Sequence, residues 1–345
     1  MVFVKRLRDA LLRRFYRLRA ESTVRRTGRV LHGPSRVMLG ASDCAVVSLM
    51  KDAAWFVGPF IRHHQALGAA HILIVDNGSA DDTVAIASGF DNVTVIRNTL
   101  PARSYECLLR SLTARQVFRG GWLLFVDSDE LFEVPFGKGA ALPRLTAYLD
   151  AQGYTAMASQ MLDLFSADDY ATTRALDYEA TISAFDRYSL SEITKVPYHD
   201  REVIGFNWFV RENRCEAAVQ WLIGGLRHEV FGEDCVLTKH SLVRNLPGIE
   251  LMSHPHCASG VVLADVTGLL RHYKLAGDYL DRDRRNILRG VWDHAEDARR
   301  VAVAGAGTDF TISVSDPRPW RGPQDLVAQG FLIASERYQR FIRQE

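Results

Sequence analysis

The chain has 345 residues, 47% of them hydrophobic and 24% charged, with a formal net charge of +1. That is enough apolar material for one large core or two moderate ones, which excludes a disordered chain and predicts a globular one. The charge is unevenly placed: residues 1–36 carry eleven Lys or Arg against Asp9 and Glu21, a local +9 offset by −8 over the rest.

Five cysteines (Cys44, Cys107, Cys215, Cys235, Cys257) form an odd set without a C-x-x-C pair, so neither a disulfide framework nor a thiolate zinc site is expected. Reduced thiols in the cytoplasm fit that set. Lys5, Arg6, Arg8, Arg13, Arg14, Arg17 and Arg19 interrupt any secretory h-region, and no stretch reaches the roughly 18 uninterrupted apolar residues of a membrane span. The expected location is the cytoplasm, in solution or peripheral on the inner face of the membrane.

Residues 3–20 place Phe3, Leu7, Ala10, Leu11, Phe15 and Leu18 at helical spacing among arginines, which predicts a basic amphipathic helix. Such a helix either docks with a solvated basic face or adsorbs to an anionic membrane, where each basic residue near lipid contributes about 1 kcal/mol. From residue 43, short apolar runs alternate with amphipathic segments, the pattern of a βαβ series with a parallel sheet. Residues 45–50 predict a strand, 53–67 a helix closed by Gly68, and 71–75 a second strand ending in Asp76-Asn77-Gly78-Ser79. Asp81-Asp82-Thr83 then opens a helix with the acidic residues its dipole prefers.

Residues 92–96 predict a third strand and 105–118 a third helix, ending at Gly120-Gly121. The run 122–126 is apolar enough to be a strand buried on both faces, and it stops at Asp127. Beyond residue 150 the order is less regular. A strand is expected at 155–160, a polar loop at 166–173, a turn at Gly224-Gly225, a charged helical stretch at 280–300, a loop at 305–323 and a final helix at 323–342.

In an open parallel sheet, ligands bind outside the carboxyl ends of the strands, where both Asp76 and Asp127 fall. Asp127-Ser128-Asp129-Glu130 concentrates negative charge after a buried strand, which a cation or a donor hydroxyl would make favourable. The natural occupant is Mg2+ or Mn2+ bridging to a diphosphate. In isolation, a D-x-D pair is equally a turn or a helix cap, and Asp76-Asn77-Gly78-Ser79 is equally an Asx turn. A phosphoaspartyl hydrolase also places an Asp pair after a strand, but its pattern continues to a Thr where this chain has Leu131. Lys51-Asp52-Ala53-Ala54 stands where a dinucleotide fold would carry G-x-G-x-x-G, and no P-loop occurs, so oxidoreductase and NTPase readings are disfavoured.

Taken in order, these segments resemble the glycosyltransferase family 2-like proteins of the GT-A fold, in particular the branch related to family 92. Lys51-Asp52 is similar to that branch's K-N-E start, His64 to Gly68 to its H-x-x-L-G, His71 to Thr83 to its DN-S-D-T segment, and Trp122 to Glu130 to its W-x-x-x-x-D-x-D-E. Gly224-Gly225-Leu226-Arg227 with Val230-Phe231-Gly232 resembles a G-G-x-R…F segment, followed by Lys239 and Leu242. Leu270-Arg271-His272-Tyr273-Lys274 resembles L-x-H-[FY]-K. Two departures stand out: Asp52 and Ala53 replace Asn and Glu, and Pro59 sits where a Glu often precedes the aromatic.

The resemblance implies an α/β, GT-A-like fold: a Rossmann-related, mostly parallel sheet flanked by helices, with the basic amphipathic helix at its N-terminus. The expected division is a basic segment at 1–40, a nucleotide-sugar-binding half at 41–150, an acceptor-binding half at 151–280 and a helical extension at 281–345. The implied activity is transfer of a sugar from a nucleotide-sugar donor to a glycan or lipid-linked acceptor, inverting and dependent on Mn2+ or Mg2+, with no nucleic-acid partner. The alternatives are a non-catalytic interaction module and a metal-dependent phosphohydrolase.

By the same resemblance Asp76 and Asn77 would contact the nucleoside, and Asp127 and Asp129 the ribose and metal. His272 would be a third metal ligand or a diphosphate contact, and Lys51, Arg227 and Lys274 would assist in donor binding. His254 and His256 are rival ligands by their H-x-H spacing. Candidate bases are Asp163, Glu229 and Asp234, and the sequence leaves the choice among them open.

Overall fold

The computed structural model describes residues 2–200, 207–216, 218–290, 295–305, 307 and 309–344, with side chains described from Phe15 onward and not for Asn207. Helix α1 spans Val2–Thr27. The apolar positions Phe3, Leu7, Ala10 and Leu11 lie outside the described side chains. Among the described residues no helix is long and apolar enough to cross a membrane.

One nine-stranded sheet organises the chain: β1 Arg29–His32, β2 Cys44–Met50, β3 His71–Asp76, β4 Val93–Arg97, β5 Trp122–Phe125, β6 Glu130–Glu133, β7 Ala156–Asp163, β8 Thr238–Arg244 and β9 Gly268–His272. Their order across the sheet is β1-β4-β3-β2-β5-β8-β7-β9-β6. Strands β2, β3, β4, β5, β7 and β9 run one way, and β1, β6 and β8 run against them. The mixed, mostly parallel sheet expected from the sequence is present.

Alternation along the central strands splits the core into two layers. Val46, Ile72, Ile74 and Leu124 pack on one face, and Ala45, Val47, Leu73, Val75, Leu123 and Phe125 on the other. Helix α2, Ala54–Ala66, buries Val57, Phe60, Ile61 and His64 at helical spacing against the first layer. Helix α3, Thr83–Ala87, packs beside it. Helix α4, Ala102–Val117, buries Leu109, Leu112 and Val117 in the second layer, and α1 packs against α4.

The second half departs from the sequence reading at several points. The strand expected at 155–160 runs to Asp163, and the polar loop at 166–173 contains a helical turn, Tyr170–Thr173, capped by Asp169. The stretch 280–300 is two helices separated by residues outside those described: α7, Tyr279–Arg289, stops at left-handed Gly290, and α8 follows as Glu296–Ala304. Between the halves lie α5, Ala141–Ala151, and α6, Leu226–Phe231. The final helix is also two, α9 Pro323–Ala328 and α10 Glu336–Arg343, because Gly330 turns left-handed and Ser335 caps a new start at Glu336 by accepting from Tyr338 N. Strands β1, β6, β8 and β9 escaped the sequence reading, since period-2 patterning is weak in an exposed edge strand and in strands that carry charged site residues.

Candidate active site

Parallel register brings the ends of β2, β3, β5, β7 and β9 to one edge of the sheet. Met50 pairs with Asp76, and His272 with Asp163. Antiparallel β8 enters between β5 and β7, so Lys239 lies at the same edge, paired with Ser159. Six stretches of chain thus meet outside the carboxyl ends of the parallel strands, where α/β sheets bind ligands.

The acidic turn is clamped from both sides. Glu130 N donates to Asp127 O at 3.1 Å and Asp127 N to Glu130 Oε2 at 2.9 Å, which closes the turn on itself. On one side, Arg110 from α4 donates to Asp127 Oδ1, while Lys239 Nζ lies 2.6 Å from Asp127 Oδ2 and 2.5 Å from Glu130 Oε1. Burial alone would raise the Asp127 carboxyl, but Arg110 and Lys239 hold it far below the usual carboxylate range. Both of its oxygens are engaged by these two cations. Its side chain keeps 30% exposure, enough for a ligand hydroxyl to reach it.

On the other side, Tyr273 N donates to Asp129 O at 2.8 Å, and β6 pairs Glu130 opposite His272. His272 Nε2 then stands 3.6 Å from Asp129 Oδ2, and its Nδ1 lies 2.5 Å from Asp163 Oδ1. Burial works against charge on Asp163, yet Arg227 and His272 hold its carboxyl strongly down, so Asp163 accepts and Nδ1 carries the proton. Asp129 and Asp163 raise the His272 imidazole against its burial, so the protonated form is favoured with Nε2 facing Asp129, and Nε2 would give up that proton to a bound metal. A carboxylate behind an imidazole is the arrangement that orients metal-bound histidines. Asp129 itself is held well below the usual range, against its burial, by His272, Lys274 and Arg282.

Asp163 was a candidate base. Buried at 3% side-chain exposure between His272 and Arg227 (Nε to Oδ2, 3.0 Å), it has no open oxygen for an acceptor hydroxyl. Arg227 was expected on a diphosphate, but its guanidinium is buried between Asp163 and Glu233. The reason is local. Gly224 and Gly225 adopt positive φ, and a Cβ at Gly224 would lie 2.3 Å from Glu192 O, so only glycine there lets α6 begin close enough to turn Arg227 inward.

Beyond Arg227 the charges continue to alternate. Glu233 lies 3.6 Å from Arg227 Nη1 and 2.7 Å from Arg300 Nη1, and Arg300, wholly buried on α8, also pairs with Asp283 at 2.5 Å and with Asp297.

The remaining candidates are scattered. Glu229 accepts from Ser189 Oγ at 3.1 Å and Ser315 N at 2.5 Å, which ties two loops together. Asp234, its side chain 75% exposed, accepts from His228 Nδ1 at 2.8 Å. Asp76 is buried; it accepts from Gly78 N and Ser79 N and pairs with Arg97 at 2.6 Å, so it shapes its own turn. Asn77 donates to the carbonyls of Asn98 and Leu100. Lys51 is exposed at the end of β2, and Lys274 is half-buried after β9.

His256 Nδ1 lies 3.0 Å from Thr238 O, and His254 Nδ1 accepts from His256 N, so the H-x-H pair closes a hairpin instead of presenting two ligand nitrogens to one ion. Burial and the neighbouring Lys239 push His256 down to about 3.

Sequence reasoning did not place Arg110 or Arg300 at all. Arg110 leaves a faint signal, a lone charge beside Leu109 and Leu112 on the buried stripe of a helix. Arg300 leaves none, since it is one arginine among many on charged helices. Among the described residues the one group of three potential ligand atoms that converges within 4.8 Å is Glu233, Cys235 and Glu296, and there Arg300 and Arg227 already neutralise Glu233.

Two solved structures are similar to part of this chain. S. aureus TarS, residues 1–349, crystallised in complex with UDP, is 18% identical over 35% of this chain and 36% of its own, with a TM-score of 0.29. Glucosyl-3-phosphoglycerate synthase from Mycobacterium tuberculosis, in complex with Mn2+, UDP and glucosyl-3-phosphoglycerate, is 22% identical over 34% of this chain and 44% of its own, with a TM-score of 0.24. The chain thus spans less than half the length of either. No curated protein sequence matches it. The family model for glycosyl transferase family 2 matches residues 63–202, from α2 through the acidic turn and β7, and the branch related to family 92 is not supported. Residues 63–202 of this chain are thus similar to glycosyl transferase family 2, and the sheet carries their acidic turn at the carboxyl edge of its parallel strands.

Proposed function

We propose that this chain is a metal-dependent glycosyltransferase that moves a sugar, with inversion, from a nucleoside diphosphate donor to a glycan or lipid-linked acceptor. The observation that carries the reading is the approach of Asp129 Oδ2 and His272 Nε2 to 3.6 Å, with Asp163 fixing the imidazole from behind. One carboxylate and one oriented imidazole fit Mn2+ or Mg2+, which take their remaining ligands from substrate phosphates and water. Bound there, the cation supplies Lewis-acid stabilisation of charge on the leaving diphosphate.

The chain's own residues do the rest. Lys274, close enough to lower the Asp129 carboxyl, would bind the diphosphate. Asp127, already neutralised by Arg110 and Lys239, would accept from a ribose hydroxyl without adding net charge to the site. Lys51 and the turn shaped by Asp76 and Asn77 would border the nucleoside. Of the three candidate bases only Asp234 keeps an open carboxylate, and we assign it the proton that the acceptor hydroxyl loses as it attacks the anomeric carbon.

Thermal shift with Mn2+ and a panel of UDP, GDP and dTDP sugars tests the donor site. UDP, named with both solved neighbours, heads the panel. A metal-dependent rise in Tm with at least one donor is expected, and its absence with all of them overturns the reading. Asp234→Asn should cut turnover by about 100-fold or more while leaving that rise intact. Wild-type glycan production in cells by the double variant Asp127→Ala with Asp129→Ala would favour a non-catalytic module instead.

A further inference from the structure

We propose that α1 is a membrane-adsorbing helix, which holds the chain on an anionic bilayer by seating Phe15, Tyr16 and Leu18 among lipid headgroups. The inference does not depend on the catalytic reading and would hold for a non-catalytic chain.

The helix is anchored to the body through its C-terminal half. Val24 is buried, Asn98 Nδ2 donates to Val24 O at 3.0 Å, and Thr27 Oγ1 donates to Asn98 Oδ1 at 3.2 Å. Toward the N-terminus this changes. Residues 15–19 are all exposed, and five successive residues cover more than one full helical turn, so the whole circumference is uncovered there.

Phe15 is 59%, Tyr16 62% and Leu18 56% exposed. The Phe15 and Tyr16 rings meet edge to face at 6.0 Å and otherwise lie open. Arg17 alone of this stretch reaches back, to Glu250 at 2.7 Å. Large apolar side chains left in water along a helix mark an interaction surface.

Charge decides the partner. Val2–Thr27 carries nine Lys or Arg against Asp9 and Glu21, and exposed Arg29 and Arg36 follow. Two such helices would repel, which disfavours a second copy of this chain. A partner must be anionic, and it must also accept two aromatic rings and a leucine. The boundary between headgroups and acyl chains of a bilayer with anionic lipid does both.

Co-sedimentation of the full chain with phosphatidylcholine vesicles, with and without phosphatidylglycerol, tests this. Binding should require phosphatidylglycerol and weaken as salt is raised. The triple variant Phe15→Ser, Tyr16→Ser, Leu18→Ser should bind about tenfold or more weakly at unchanged Tm. An independent pair, Arg19→Glu with Arg26→Glu, should lose binding as well. Equal binding to both vesicle types, no binding to either, or wild-type binding by the triple variant would overturn the proposal. So would a concentration-dependent oligomer that the triple variant abolishes.

Discussion

Asp127 and Asp129 are separated by one residue, yet the two sides of their turn are built from different chemistry. On the Asp127 side three carboxylates, Glu106, Asp127 and Glu130, meet two cations, Arg110 and Lys239, at hydrogen-bond distance. On the Asp129 side the nearest partner is a histidine at 3.6 Å, beyond hydrogen-bond reach, and behind it runs an alternating chain through Asp163, Arg227 and Glu233 to Arg300. The Asp129 carboxylate is held down, against its burial, by His272, Lys274 and Arg282. The two carboxylates of the D-x-D pair thus answer to different partners, cations at hydrogen-bond distance for Asp127 and a histidine-led group for Asp129.

The comparison can be broken at several points. The largest effect is expected far from the turn, at Arg300. Arg300→Met takes the shared guanidinium from Glu233, Asp283 and Asp297 and leaves Glu233 and Asp283 only the longer pairs with Arg227 and Arg282, and removing one partner of a buried pair costs about 3–5 kcal/mol. Chemical denaturation should read this as a lower midpoint. An unchanged midpoint would mean that the Asp129 side does not depend on its distant end.

Next, Asp129→Ala should weaken Mn2+ binding in the presence of UDP by about 100-fold, or about 2.7 kcal/mol, read by calorimetry. Arg110→Met, on the other side, should leave metal affinity within a few-fold. If the two variants behave alike, the two sides are not distinct.

Asp163→Asn keeps the shape but removes the carboxylate that orients His272, and about tenfold in metal affinity should go with it. The outcome that contradicts the assignment is undiminished metal binding combined with lost turnover, which would return Asp163 to the list of bases.

A smaller effect separates the sides by pH. His256 sits beside Lys239 with its folded pKa near 3, so the unfolded chain, near 6.5, binds the proton first. Its contribution to stability is present above about 6.5 and is lost as pH falls toward 3. His256→Gln should flatten the decline by about 1 kcal/mol between pH 6.5 and 5.5 in urea titrations. The smallest effect is expected at Arg17→Gln, which breaks an exposed pair with Glu250 and should move stability by less than about 0.5 kcal/mol.

The legibility of the molecule follows how local its causes are. The strands ending at Met50, Asp76 and Phe125 each carry a run of buried apolar residues and a polar stop, so their order, direction and the loops at their ends could be read from one segment at a time. The acidic turn was visible for the same reason. The motif around His272 was legible by resemblance, but not what His272 faces, because that depends on β9 lying parallel to β7 and antiparallel to β6.

By itself, then, the sequence determined the α/β class, the loops that carry the chemistry and the basic character of α1, since periodicity, turn chemistry and charge are properties of neighbours along the chain. Only the tertiary structure decided which partners each carboxylate meets. Asp127 is taken by Arg110 and Lys239, and Asp163 by His272 and Arg227, through pairs separated by 17 to 112 residues. Electrostatic pairing acts through space at a few ångströms, so residues with the same local pattern acquire different roles only once the sheet has set their neighbours.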